Sequence, residues 1–259
     1  MLISSPGAEP SESSRYTEQM QEIEEFSDER NKSWCIHCGQ WLAQAETNED
    51  HVPSKSLLQK PRPHHLPVVR ICKPCNSSFS SDEQYLVAFL SSVLAGSTDP
   101  SAQKNASAAR SLGNSAKLRA LIDRSSSSYH TVGGEICTVW RPEMHRVNRV
   151  VVKNARGHAY FEFGEPMMTE PTHVWACPLE SMTSKDREDF EGTVYSGQFS
   201  PWPEVGSRMM TRVLTGQDMA GPWVIVQQGV YRYSVSQCGG LLVRSVLSEY
   251  LATEVYWEQ

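Results

Sequence analysis

Three short segments, Cys35-Ile-His-Cys38, Asp50-His-Val-Pro53 and Cys72-Lys-Pro-Cys75-Asn76, decide how this chain is read. Two residues between paired cysteines let one tight turn aim two sulfurs at a single ion, and two such turns complete a tetrahedron. Four thiolates leave no coordination position open. An ion held by Cys35, Cys38, Cys72 and Cys75 is therefore expected to be structural zinc and, in a unit this small, a condition of folding. The alternative is a disulfide framework, but paired knuckles in a reducing compartment favour metal. Thirty-three residues separate Cys38 from Cys72. That is longer than the usual ribbon interval and leaves room for a functional loop between the knuckles.

Asp50 and His51 lie in that interval. Water cuts a phosphodiester only if it loses a proton and the leaving oxygen is stabilised; a histidine can take the proton, and a carboxylate can hold a divalent cation against the phosphate. Neighbouring residues on a strand point to opposite sides, so Asp50 could serve a metal while His51 serves a water. A carbonyl is then needed to fix the imidazole tautomer. Taken singly, His51 reads as a structural histidine, Asp50 as a solvated charge and Asn76 as a cap for the turn that follows it.

Asp-His-x-Pro between two CxxC knuckles, with Asn directly after the last Cys, resembles the HNH, or ββα-metal, endonucleases. The likeness is nearest to the phage junction-resolving members, which carry four-cysteine zinc and an Asp-His/Asn core. It covers residues 34–90 and rests on 50–57 and 72–86. The resemblance implies a zinc-stabilised hairpin ending in a helix. It makes His51 the general base, Asp50 a ligand of catalytic Mg²⁺ or Mn²⁺, and Asn76 a second ligand or the group that orients His51. Many members carry a further His or Asn along the helix, where this chain has Ser80, Ser81, Asp82 and Glu83. Asp82 could substitute, although acids in a first helical turn also follow from the helix dipole.

Lys55, Lys60, Arg62, Arg70 and Lys73 fall within nineteen residues, and no acid occurs between His51 and Ser81. This local charge would hold phosphates without reading sequence. It is the expected contact with DNA, RNA being equally compatible with the motif. The body of the chain is otherwise neutral. Residues 1–30 hold eight acids against two arginines, which accounts for the whole net charge of −6.

Hydrophobic content of 39% supports a core. No apolar run suits a membrane span or a secretory signal, so a cytoplasmic protein without membrane contact is expected. The reading is an α+β chain in four parts: an acidic segment (1–30) with a candidate helix over 15–30; an HNH ββα-metal unit (31–96); a basic helix over about 101–124 with a Ser125–Ser128 linker (97–130); and a second mixed α+β unit (131–259). In the first unit, Leu66–Cys72 reads as a strand and 52–67, with four prolines, as a loop. A capping-box pattern at Ser81–Gln84 starts a helix that ends near Gly96. His64 and His65 read as exposed. In the second unit, Val147–Val152 and Ala159–Phe163 look strand-like, 222–227 and 230–235 form a hairpin, and Leu241–Val246 is a strand. Five tryptophans (140, 175, 202, 223, 257) and the single cysteines Cys137, Cys177 and Cys238 read as core. The role of this unit is open between target choice, a partner and a homodimer. The function expected is metal-dependent DNA hydrolysis; the alternative is a zinc-stabilised module that binds nucleic acid or protein without cutting.

Overall fold

The computed structural model describes residues 31–130, 133–134, 136–192, 202–237 and 239–258. The expected acidic segment 1–30, Cys238 and the side chain of Cys137 lie outside the described residues. The architecture is α+β, as expected from the sequence.

The first unit is a hairpin followed by a helix. Strand β1 (Thr47–His51) pairs antiparallel with β2 (Val68–Cys72), from Thr47 opposite Cys72 to His51 opposite Val68. Helix α1 (Lys73–Ala95) follows β2 without a break and ends on Gly96, whose φ of 63° suits a left-handed cap. The capping-box expectation is corrected: α1 starts at Lys73, eight residues before Ser81, just after Cys72, with Pro74 in its first turn. Between the strands, the loop is tied down by Gln227. Its side chain accepts from the Gln59 N–H (2.9 Å) and donates to the Gln59 and Pro61 carbonyls (3.1 Å each).

Residues 97–130 form two short helices, α2 (Ala106–Asn114) and α3 (Ala116–Asp123), where one was expected. Asn105 and Ser115 cap them through their side chains. The serine run is a strand rather than a linker: β3 (Ser126–His130) pairs with β4 (Ile136–Trp140).

Helix α4 (Met144–Phe163) overturns the two strands expected over 147–152 and 159–163. Its buried positions include Val147, Val150, Val151, Asn154, Ala155, His158, Ala159, Glu162 and Phe163, a 3–4 spacing typical of a helix. Polar residues fill three of those positions, which hides the period from a hydrophobicity reading. One face of α4 lies on a six-stranded antiparallel sheet of order β5-β10-β9-β8-β7-β6. The strands are β5 (His173–Pro178), β6 (Met219–Ala220), β7 (Trp223–Gln227), β8 (Tyr231–Gln237), β9 (Gly240–Leu247) and β10 (Leu251–Glu258). The expected hairpin is β7–β8, and the strand over 241–246 is β9. Two further helices are α5 (Ser184–Glu191) and α6 (Arg208–Thr215). Phe190 of α5 packs with Leu179, Trp223, Val246 and Ala252 in a separate cluster.

The main apolar cluster runs from Leu57 and Leu58 through α1 and α4 to Trp257, so residues on both sides of the expected 97–130 connection share one core. Trp223 and Trp257 are buried as expected, whereas Trp202 is 66% exposed. A second, small cluster holds Ile36, Leu42, Val52, Val69 and Ile71, with Tyr160 of α4 packed against them. Here α4 approaches very closely: a Cβ on Gly157 would lie 2.6 Å from Val52 Cγ2.

Glycine in a helix normally costs up to about 1 kcal/mol relative to alanine. At Gly157 the sign reverses, because an added methyl meets a β-branched side chain. Gly157→Ala is expected to destabilise the chain by about 1–3 kcal/mol, the usual cost of overpacking, measured by denaturant unfolding.

Candidate functional site

The first knuckle is a tight turn: Cys35 N–H donates to the Gln40 carbonyl (2.8 Å), Gly39 N–H returns to Cys35 O (2.8 Å), and Gly39 takes a φ of 69°. The second is the junction of β2 and α1, where Cys72 ends the strand and Cys75 sits in the first helical turn. The four Sγ atoms lie within 4.8 Å of one another. Cys38 and Cys72 sulfurs are 3.7 Å apart, far beyond the roughly 2.05 Å of a disulfide. A tetrahedral zinc with Zn–S bonds of about 2.3 Å spaces its sulfurs by about 3.8 Å, so the donor set fits the ion. Burial and the neighbouring sulfurs push the Cys75 thiol well above its ordinary range. Four cysteines in this arrangement can hold a metal such as zinc. Among the described residues they are the only group of three or more His, Cys, Asp or Glu side chains close enough to do so.

His51 ends β1, four residues from the Thr47–Cys72 end of the ladder, about 13 Å at the usual rise per residue. It is half-buried, and neither ring nitrogen has a hydrogen-bond partner among the described residues. Burial, then the charge of Lys55, holds its pKa below the ordinary imidazole value. Asn76, in the first turn of α1, also makes no side-chain hydrogen bond among the described residues. It therefore does not orient His51 in this structure.

Asp50 points the other way and is buried. Its Oδ1 accepts from Lys153 Nζ at 2.7 Å, and its Oδ2 lies 3.9 Å from His37 Nε2, too far for a hydrogen bond. Burial pushes the carboxyl up, but His37 and Lys153 outweigh it and keep the group below the usual carboxylate range. The same Lys153 ammonium donates to Ser54 Oγ (2.7 Å) and Glu83 Oε1 (2.5 Å). The Ser54 hydroxyl donates to Glu83 Oε1 (2.6 Å), and Asn154 Oδ1 accepts from the Ser54 N–H (2.8 Å). His37 sits edge-on to Phe79 with ring centroids 4.9 Å apart, and burial lowers its pKa.

Asp82 is neither a metal ligand nor a first-turn acid. It lies in the middle of α1 and accepts from Arg146 Nε (2.7 Å) and Arg149 NH1 (2.8 Å). Burial raises its pKa, and the two guanidiniums more than reverse that. Arg156 completes the row by donating to His37 O (3.2 Å), Thr169 O (3.0 Å) and Glu170 Oε1 (3.1 Å). Sequence reading missed this α4 face. Arg146, Arg149, Lys153 and Arg156 stand at i, i+3, i+7 and i+10, a stripe visible only once the stretch is taken as helical. A cleft of about 560 Å³ opens beside it, lined by His37, Phe79, His145, Arg149 and Lys153 among others.

Of the expected phosphate-binding residues, Lys55, Lys60, Arg70 and Lys73 are exposed and Arg62 is half-buried. Arg62 Nε donates to Lys55 O (3.0 Å), Arg70 Nε to Thr47 Oγ1 (3.1 Å), and Lys73 pairs with Glu46 (2.9 Å). The Lys73–Glu46 pair is solvent-exposed and contributes little. His64 and His65 are exposed, as expected. No helix among the described residues is long and apolar enough to cross a membrane.

Compared with known family models, with curated proteins and with solved structures, the chain matches none.

Zinc analysis by mass spectrometry is expected to find one ion per chain. Cys72→Ser should lose it and lower the melting temperature, because that sulfur joins β2 to α1. Retention of a full complement of zinc by Cys72→Ser would remove Cys72 from the ligand set.

Proposed function

We propose that this chain is a DNA endonuclease of the ββα type, with His51 as the general base that deprotonates the attacking water. The observation that supports this reading is the hairpin β1–β2 running directly into α1. The four-cysteine cluster lies at the base of this unit, and a half-exposed His51, with neither ring nitrogen partnered among the described residues, lies at its far end. A neutral imidazole accepts a proton, and its lowered pKa favours the neutral form near pH 7. Lys55, Lys60 and Arg70 are exposed cations on the same hairpin and loop, suited to phosphates. Zinc takes no part in the chemistry, since four thiolates close its coordination.

The divalent cation implied by the resemblance does not fit the residues as they stand. One oxygen of Asp50 carries Lys153, the other faces His37, and among the described residues no group of three His, Cys, Asp or Glu side chains lies close enough there to hold an ion. No step is assigned to such an ion.

The Asp50–Lys153 ion pair favours a second reading, a zinc-stabilised module that binds nucleic acid without cutting it. A plasmid-nicking assay, with RNA as a parallel substrate and with and without Mg²⁺, separates the two. Under the nuclease reading, His51→Ala loses about 10²-fold or more in rate while zinc content and DNA affinity stay unchanged. Equal cutting by wild type and His51→Ala removes His51 as the base. Binding without cutting of either nucleic acid establishes the second reading.

A further inference from the structure

We propose that Lys153 is the resident cation of the Asp50–Glu83 cluster, so that the chain takes no divalent ion at the place where the nucleases it resembles would hold one. The inference stands on the geometry of the cluster, whether or not the chain cuts DNA.

An ammonium has three donors and no acceptor. Those of Lys153 reach Asp50 Oδ1 on β1, Ser54 Oγ in the loop and Glu83 Oε1 on α1, at 2.7, 2.7 and 2.5 Å. Every donor is used, and each comes to rest on a different element. The side chain is 3% exposed, so its four-carbon stem lies buried along the approach from α4. A magnesium ion asks for about six oxygens at about 2.0–2.1 Å and keeps several waters. The cluster offers three oxygens already drawn around a nitrogen, with the lysine stem where waters would stand. Neighbouring cations do not relieve the site: Arg146 and Arg149 are held by Asp82, and Arg156 by Glu170. Nor can Lys153 swing away freely. The next residue, Asn154, is fixed to Ser54 N and to the Val150 carbonyl, and Gly157 one turn on is locked against Val52.

The test titrates the zinc-loaded full chain with Mn²⁺ and reads the free ion by electron paramagnetic resonance. Wild type is expected to leave Mn²⁺ free up to about 1 mM, the weak end of protein sites for hard cations. Lys153→Met uncovers two carboxylates and a hydroxyl, and is expected to bind one Mn²⁺ at least about tenfold more tightly; adding Asp50→Asn abolishes the gain. Stoichiometric Mn²⁺ on wild type that Asp50→Asn removes would overturn the proposal. So would a folded Lys153→Met that binds no better than wild type. Facing carboxylates can unfold that variant, so the same question is put to wild type alone by reductive methylation of lysines, read by mass spectrometry. Lys153 is expected to stay unmodified with and without Mn²⁺. Methylation of Lys153 that rises with Mn²⁺ would mean that the metal displaces it, and the proposal fails.

Discussion

One buried ammonium joins three elements of this molecule around Asp50. Lys153 reaches from α4 to the end of β1, to the loop after it and to α1. Taking a charge out of water costs several kcal/mol, and only good geometry with full hydrogen bonding offsets it. Here all three donors are satisfied and two carboxylates are neutralised in part. Such a pair adds little net stability compared with an apolar contact, but removing one partner leaves an uncompensated buried charge, which costs about 3–5 kcal/mol. Only one docking of α4 places Lys153, Arg146 and Arg149 on Asp50, Glu83 and Asp82 at once.

The four cysteines act at the opposite end of the hairpin. Ile36, Leu42, Val52, Val69 and Ile71 form a small cluster, each side chain contributing about 1.5–3 kcal/mol on burial. Structural zinc in small domains contributes about 10–16 kcal/mol to folding, more than any of these residues. A zinc held by the four cysteines would therefore fix where β2 stops and α1 begins, since Cys72 and Cys75 belong to those two elements. His51 is placed indirectly, by a ladder whose register starts opposite Cys72.

Local spacing is enough to read the knuckles, the Asp-His on a strand, the β2 strand, the helix end near Gly96 and the β7–β8 hairpin. Each depends on residues adjacent in sequence. The start of α1 was obscured by its composition: Ser77, Ser78, Ser80 and Ser81 are poor helix signals, and Phe79 is the one large apolar residue in the first two turns. Helix α4 was read as strand because Val147 and Val150–Val152 are β-branched, while Asn154, His158 and Glu162 occupy buried positions of its period. Those polar residues find partners far away in the chain. His158 Nε2 lies 3.0 Å from the Tyr231 hydroxyl, and Glu162 accepts from Arg212 and Tyr233. Partnerships across 50 to 73 residues leave no local signature. The Lys153–Asp50 contact spans 103 residues, so nothing near Asp50 in the sequence shows the lysine that competes with a metal for it.

That rival also bears on where a substrate can approach. Each hydrogen bond to a charged group contributes about 1.5–3 kcal/mol, so an incoming ion must replace three of them and shed its own tightly held water. α4 is anchored on both sides of Lys153, by Arg146 and Arg149 before it and by the Gly157–Val52 contact after it. The side of β1 that carries Asp50 is thus filled by protein. Strand alternation turns His51 to the other side, and there the imidazole is half-exposed, with Lys55 close enough to lower its pKa. On the proposed nuclease reading, the outer end of the hairpin, rather than the space between α1 and α4, is the surface on which a phosphate would meet His51.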